Sequence, residues 1–79
     1  MMTQTIGRKL RQFRQKKGYS QETLADRAGL HPTYIGQVER GEKNITVETL
    51  AKITTALGIP ISSVFDDVLS NPMPSAENY

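Results

Sequence analysis

The sequence lacks several features that particular classes of protein require. It contains no cysteine, which excludes disulfides, thiolate metal sites and a cysteine nucleophile, and which suits a reducing cytoplasm. No stretch approaches the roughly 20 apolar residues of a membrane span, and the N-terminus has no apolar signal segment. We therefore expect a cytoplasmic protein with no membrane partner.

Groups for catalysis are also scarce. The one histidine, His31, precedes a proline at a predicted helix start, and the acids fall on helix caps and exposed faces instead of pairing across a cleft. The same shortage of ligands argues against a metal ion. We expect no enzymatic activity, no cofactor and no metal site.

Acidic residues are absent from the first 19 positions. That segment carries six Lys or Arg residues, whereas residues 20–79 carry four bases against eight acids. A basic helix on a mildly acidic body indicates a face suited to a polyanion. An ordinary solvated helix surface is the alternative.

The length and the residue pattern predict one small domain. We expect a frayed N-terminus at residues 1–4, a folded domain at 5–69 and a disordered, proline-containing tail at 70–79. We expect no small-molecule ligand domain. Helical spacing of apolar residues predicts a first helix from about Thr5 to Lys17, a fourth from Val47 to Leu57, capped by Thr46, and a short fifth near Ser62.

The middle of the chain predicts two more helices. Apolar residues recur at helical spacing in both halves of residues 21–40, and Ser20 is a good N-cap for the first half. Gly29 can adopt the left-handed conformation that ends a helix, and Pro32 suits the first position of the next. Two helices joined by such a short turn form a helix-turn-helix. The sequence therefore predicts an all-α fold.

These residues resemble the lambda-repressor-like (Cro/XRE-type) helix-turn-helix family. The resemblance covers about residues 5–68 and is carried by Gln21, Leu24-Ala25, Ala28-Gly29-Leu30, Ile35, Val38 and Glu39-Arg40-Gly41. Within the family, TYIGQVERGEKNIT is most similar to controller proteins of restriction–modification systems. The resemblance implies a compact five-helix DNA-binding domain and a transcriptional regulator. An antitoxin-like protein-interaction module on the same fold is the alternative.

In a helix-turn-helix, the second helix, here residues 32–40, enters the major groove. Ile35 and Val38 must face the core, so the predicted base contacts are the outward positions Pro32, Thr33, Gly36 and Gln37. Gly36 would either let the backbone approach DNA or help the helices pack. The predicted phosphate contacts are Ser20, Gln21, Tyr34, Arg40, Lys43 and Asn44. For Tyr34, a partly buried structural role is the alternative.

Arg14 borders the buried stripe of the first helix, where a charge needs a partner. The family resemblance implies that this partner is Glu39. The alternative is an arginine that extends along its stem to solvent.

A second apolar cluster near the C-terminus predicts a homodimer. Six large apolar residues fall within eleven positions, more than one short helix can turn inward. We expect the interface to comprise Ile61, Val64, Phe65 and Val68, although the pattern does not indicate which of them turn inward. The alternative is that the cluster caps the monomer core. A two-fold dimer would bind double-stranded DNA at a pseudo-palindromic operator.

Overall fold

A computed structural model of the chain describes residues 2–65 as four α-helices followed by a short 3₁₀ helix. The elements are α1 (Met2–Lys17), α2 (Gln21–Ala28), α3 (Pro32–Glu39), α4 (Val47–Leu57) and the 3₁₀ helix (Ile61–Phe65). Helix α1 begins three residues before the predicted start, so residues 2–4 form its first turn. The predicted tail at 70–79 lies outside the described residues. None of the described helices is long and apolar enough to cross a membrane.

The all-α prediction is confirmed, but the prediction of five α-helices is wrong. The fifth element is a 3₁₀ helix of five residues, in which the Ser63 N–H donates to the Pro60 carbonyl at 3.0 Å. A segment this short makes too few bonds to offset the cost of starting an α-helix, and two serines with a β-branched valine favour helix only weakly.

Local capping fixes the ends of the predicted helices. The Ser20 hydroxyl accepts from the Thr23 N–H at 3.0 Å, and the Thr46 hydroxyl accepts from the Thr49 N–H at 3.1 Å. Gly29 ends α2 in the left-handed conformation, with φ of 70°. These caps satisfy N–H and C=O groups that a helix cannot pair internally.

The core lies where the helices converge. Among the described residues, nine large apolar side chains are buried there, while Phe13 and Leu30 are half-buried and pack against the core. Two small buried alanines, Ala25 and Ala28, belong to the same cluster. The buried apolar residues are Ile6, Leu10, Leu24, Ala25, Ala28, Ile35, Val38, Leu50, Ile53, Leu57 and Val64.

The structure separates the residues assigned to the dimer interface. Val64 is fully buried, with 0% of its surface exposed, so it belongs to the core and its assignment to the interface is wrong. Ile61 remains 36% exposed, and Phe65 is half-buried against the core. Val68 lies outside the described residues. Val64 turns inward because the 3₁₀ helix packs on both α1 and α4.

Helices α1 and α3 meet at a glycine. Gly7 is buried, and a Cβ added to it would collide with the backbone carbonyl oxygen of Val38 and lie 2.9 Å from that of Glu39. Real Cβ atoms do not approach backbone oxygen so closely. The contact therefore places the start of α1 directly against the end of α3.

Gly7→Ala should destabilise the protein by about 1–3 kcal/mol, because backbone must move to admit the methyl group. Urea denaturation measures the loss. Gly36→Ala is the matched control, since its added Cβ would meet only the ends of the Arg40 and Gln21 side chains. Alanine also favours a helix over glycine by about 1 kcal/mol, so this control should be no less stable than the wild type. Equal stability of both variants would contradict the close contact.

Candidate nucleic-acid interface

Helices α2 and α3 form the predicted helix-turn-helix. The Leu30 N–H donates to the Ala25 carbonyl at 2.8 Å, which closes the end of α2. His31 is then the N-cap of α3, and its Nδ1 accepts from the Thr33 N–H at 3.1 Å. Pro32 follows at the first helical position, where its missing N–H leaves no bond unmade. Three residues thus separate the two helices.

A partly buried ion pair connects α1 to the end of α3. Arg14 donates from Nε to Glu39 Oε2 at 2.6 Å and from Nη2 to Glu39 Oε1 at 3.1 Å. Arg14 Nη1 donates to the Tyr19 carbonyl at 2.8 Å, and Gln21 Nε2 donates to Glu39 Oε1 at 3.0 Å. The two charged side chains are 11% and 3% exposed. The geometry matches the predicted pair, and the arginine does not extend to solvent.

The outward face of α3 is partly covered by neighbouring side chains. Gly36 is buried, because the Arg40 guanidinium and the Gln21 amide lie over it. A Cβ on Gly36 would be 3.1 Å from Arg40 Nη1 and 3.4 Å from Gln21 Oε1. This cover by two side chains agrees with the alternative role of Gly36 in packing, and its contact with DNA stays a prediction.

The other predicted base contacts are accessible to different degrees. Thr33 is exposed, while Pro32 and Gln37 are half-buried. The Thr33 backbone N–H is bonded to His31, which leaves the threonine hydroxyl and methyl to face the surroundings. These three residues stay as candidates for base contact on α3.

Four predicted phosphate contacts lie at the start of α2 or in the turn that precedes α4. Ser20, Lys43 and Asn44 are exposed, and Gln21 is half-buried. The first N–H groups of α2 and α4 have no acceptor within their helices, so both helix starts favour an anion. Tyr34 is half-buried against the core, in agreement with its alternative structural role.

The remaining predicted phosphate contact, Arg40, pairs with Glu42. Nε of Arg40 donates to Glu42 Oε2 at 2.7 Å, and Nη2 donates to Oε1 at 3.2 Å. Both side chains are exposed, at 59% and 52%. Hydrogen bonding to Glu42, together with its charge, raises the pKa of Arg40, and the same hydrogen bond lowers the pKa of Glu42.

The basic residues of α1 are not all directed to solvent. Arg14 turns inward to Glu39, and the ammonium groups of Lys9 and Lys16 lie over the Phe13 ring at 5.8 and 5.7 Å from its centre. Arg8 and Arg11 are exposed. Part of the positive charge of α1 therefore has a structural use.

Two structural contacts were not predicted from the sequence. Gln21 had been assigned to phosphate, yet its amide nitrogen bonds to Glu39. No capping role is predicted for His31, yet its Nδ1 caps α3. Its place directly before a proline was a usable signal, although histidine is not among the preferred N-cap residues.

Comparison with known proteins agrees with this geometry. The model of a family described as helix-turn-helix matches residues 10–64. The chain belongs to the Cro/XRE-type helix-turn-helix family. Among solved structures, the restriction–modification controller protein C.AhdI from Aeromonas hydrophila superimposes with a TM-score of 0.78 at 43% identity. That match covers 80% of this chain and 96% of C.AhdI.

Curated relatives of this family member include short and long proteins. Control protein C.BamHI of Bacillus amyloliquefaciens is 43% identical over 62 residues, which are 77% of this chain and 76% of that protein. The regulator SutR of Escherichia coli is 44% identical over 54 residues, which are 68% of this chain and 30% of SutR. The same kind of domain thus occurs alone or as part of a larger regulator.

Removal of Arg14 alone should strongly destabilise the fold. In Arg14→Met, Glu39 keeps the Gln21 amide but loses both guanidinium donors, so we expect a loss of about 3–5 kcal/mol. Arg14→Met combined with Glu39→Met should cost much less, because no charge then stays buried. Urea denaturation of the two single variants and the double variant gives the coupling energy. Additive effects would mean that the side chains do not interact in solution.

Proposed function

We propose that this protein is a sequence-specific DNA-binding transcriptional regulator that acts as a homodimer. The observation that supports this most strongly is the α2–α3 helix-turn-helix, within a family match that spans residues 10–64. Residues 32–40 form the recognition helix and enter the major groove. There Thr33 and Gln37 contact base edges, and Pro32 recognises the shape of the groove because its side chain has no hydrogen-bonding group. The antitoxin-like alternative is not favoured, since the named relatives are controllers and transcriptional regulators.

Phosphate contacts orient the recognition helix on the DNA. Ser20 and Gln21 act at the start of α2, and Lys43 and Asn44 act just before α4. Each pair adds polar or positive groups to a helix end whose N–H groups already favour an anion. Such contacts give affinity for any duplex, so the sequence preference comes from α3.

The dimer uses the exposed part of the C-terminal apolar cluster. Ile61 and Phe65 supply its described residues, and Val68 is proposed from its sequence alone. A two-fold axis would place two recognition helices about 34 Å apart, one turn of DNA, and would match a pseudo-palindromic operator. We further propose that the protein is cytoplasmic, has no catalytic activity, and controls a restriction–modification system, as the names of C.BamHI and C.AhdI indicate for those proteins.

Selection of bound duplexes from random DNA tests the function directly. We expect one enriched, two-fold symmetric motif that binds much more tightly than a scrambled duplex. Affinity for both duplexes should fall steeply as salt rises, because bound phosphates release their counterions. Absence of any enriched motif would contradict the proposed function.

Gln37→Ala should cost about 1–3 kcal/mol on the selected operator and relax the preference at one base pair, because a base contact is lost. Lys43→Ala should weaken binding to all duplexes similarly and reduce the salt slope by about one unit. Fluorescence anisotropy on the operator and on single-base variants separates the two effects. An unchanged preference in Gln37→Ala would mean that this side chain does not face the bases.

Ile61→Asp should give a folded monomer with weakened operator binding, because a charge in the apolar interface opposes association. Sedimentation gives the oligomeric state and circular dichroism the folding. Val64→Asp is the comparison variant and should unfold, since Val64 is fully buried in the core. Unfolding of Ile61→Asp would place Ile61 in the core, and a monomeric wild type at high concentration would contradict the dimer.

A further inference from the structure

The Arg40–Glu42 pair lies beside the recognition helix without belonging to the core. The Glu42 carboxylate accepts hydrogen bonds from Nε and Nη2 of Arg40, at 2.7 and 3.2 Å. These two nitrogens form one edge of the guanidinium. That two-donor edge is the one with which arginine binds a carboxylate or a phosphate most strongly. While Glu42 occupies it, a DNA phosphate cannot bind Arg40 in the same two-bond geometry.

The other end of the guanidinium lies close to α3. Arg40 folds back by one helical turn, so that Nη1 lies 3.1 Å from the position of a Cβ on Gly36. The missing side chain of Gly36 makes room for this placement. Gln21, at the start of α2, lies on the same surface. The charge of Arg40 is therefore placed on the face of α3 and next to the start of α2.

An exposed ion pair of this kind contributes little to folding. Pairs between exposed side chains add little to stability and are screened by salt. A stabilising role therefore does not explain an acid so close to a surface expected to bind a polyanion. Glu42 itself carries a negative charge that phosphates repel. We therefore expect Glu42 to act by changing how Arg40 binds DNA.

We infer that Glu42 is a specificity-determining residue, which occupies the phosphate-binding edge of Arg40 and keeps the guanidinium against Gly36 on the face of the recognition helix. This inference rests on the proposed function and adds a role for Arg40 to it. On random duplex, Arg40 stays paired with Glu42 and adds little to sequence-independent affinity. On the operator, the guanidinium held by Glu42 adds to the binding affinity at the place where α3 lies in the major groove. Glu42 thereby widens the difference between operator and random DNA.

Glu42→Gln tests the inference, since it removes the charge but keeps the size of the side chain. The freed Arg40 should neutralise one more phosphate on random duplex, which steepens the salt slope there by about 0.9. With that slope, the gain in affinity for random duplex should be about threefold larger at 50 mM than at 200 mM salt. The slope on the operator should stay unchanged, so the ratio of operator to random affinity falls.

Asp26→Asn is the matched control, because it removes one exposed negative charge from α2. This variant should change the affinity for the operator and for random duplex by the same factor. In an Arg40→Ala background, Glu42→Gln should lose its effect, because Glu42 acts through Arg40. The inference is overturned if Glu42→Gln changes the affinity for both duplexes equally, as Asp26→Asn should. It is also overturned if Glu42→Gln has the same effect in the Arg40→Ala background as in the wild type. Failure of the wild type to prefer any sequence would instead contradict the proposed function.

Discussion

The ion pair between Arg14 and Glu39 links the end of α3 to α1 and so determines how α3 is placed against the rest of the fold. Glu39 is the last residue of α3, and its carboxylate accepts from Arg14 on α1 and from Gln21 at the start of α2. Arg14 also donates to the carbonyl of Tyr19 in the turn between α1 and α2. One carboxylate thus connects the end of the recognition helix with the two segments that precede it. A buried pair gives little net stability, but its geometry is specific.

Packing around this pair leaves few alternatives for the angle between the helices. Gly7 brings α1 onto the last carbonyls of α3, and Ala25 and Ala28 are the small buried residues of α2. Small side chains permit close contact, and close contact transmits any change in one helix to the next. The residues that we propose to face the groove are therefore positioned by packing on the opposite side of α3.

Local chemistry made much of the fold predictable. Ser20, Thr46 and Gly29 act through their immediate neighbours, so their capping roles follow from sequence alone. Helical spacing likewise identified Ile35 and Val38 as buried. In each case the deciding contact lies within about one helical turn, or within one periodic stripe.

The unpredicted features depend on distant parts of the chain. The glycine at position 7 is explained by carbonyls more than thirty residues away, and Gly36 is covered by Gln21 and Arg40. Periodicity marked position 36 as outward and could not indicate that a neighbouring side chain folds back over it. Val64 was one of six apolar residues, and only packing against α1 and α4 decides which of them turns inward.

Phe13 shows how the basic first helix affects the behaviour of the protein in a crowded cell. Its half-buried ring carries the ammonium groups of Lys9 and Lys16. A bare aromatic ring on the surface would be an adhesive site for other apolar surfaces. Two cations over the ring keep it hydrated, and they repel the same face of another copy at low salt. Self-association is thereby discouraged on this side of the molecule, in contrast to the C-terminal face that we propose for the dimer.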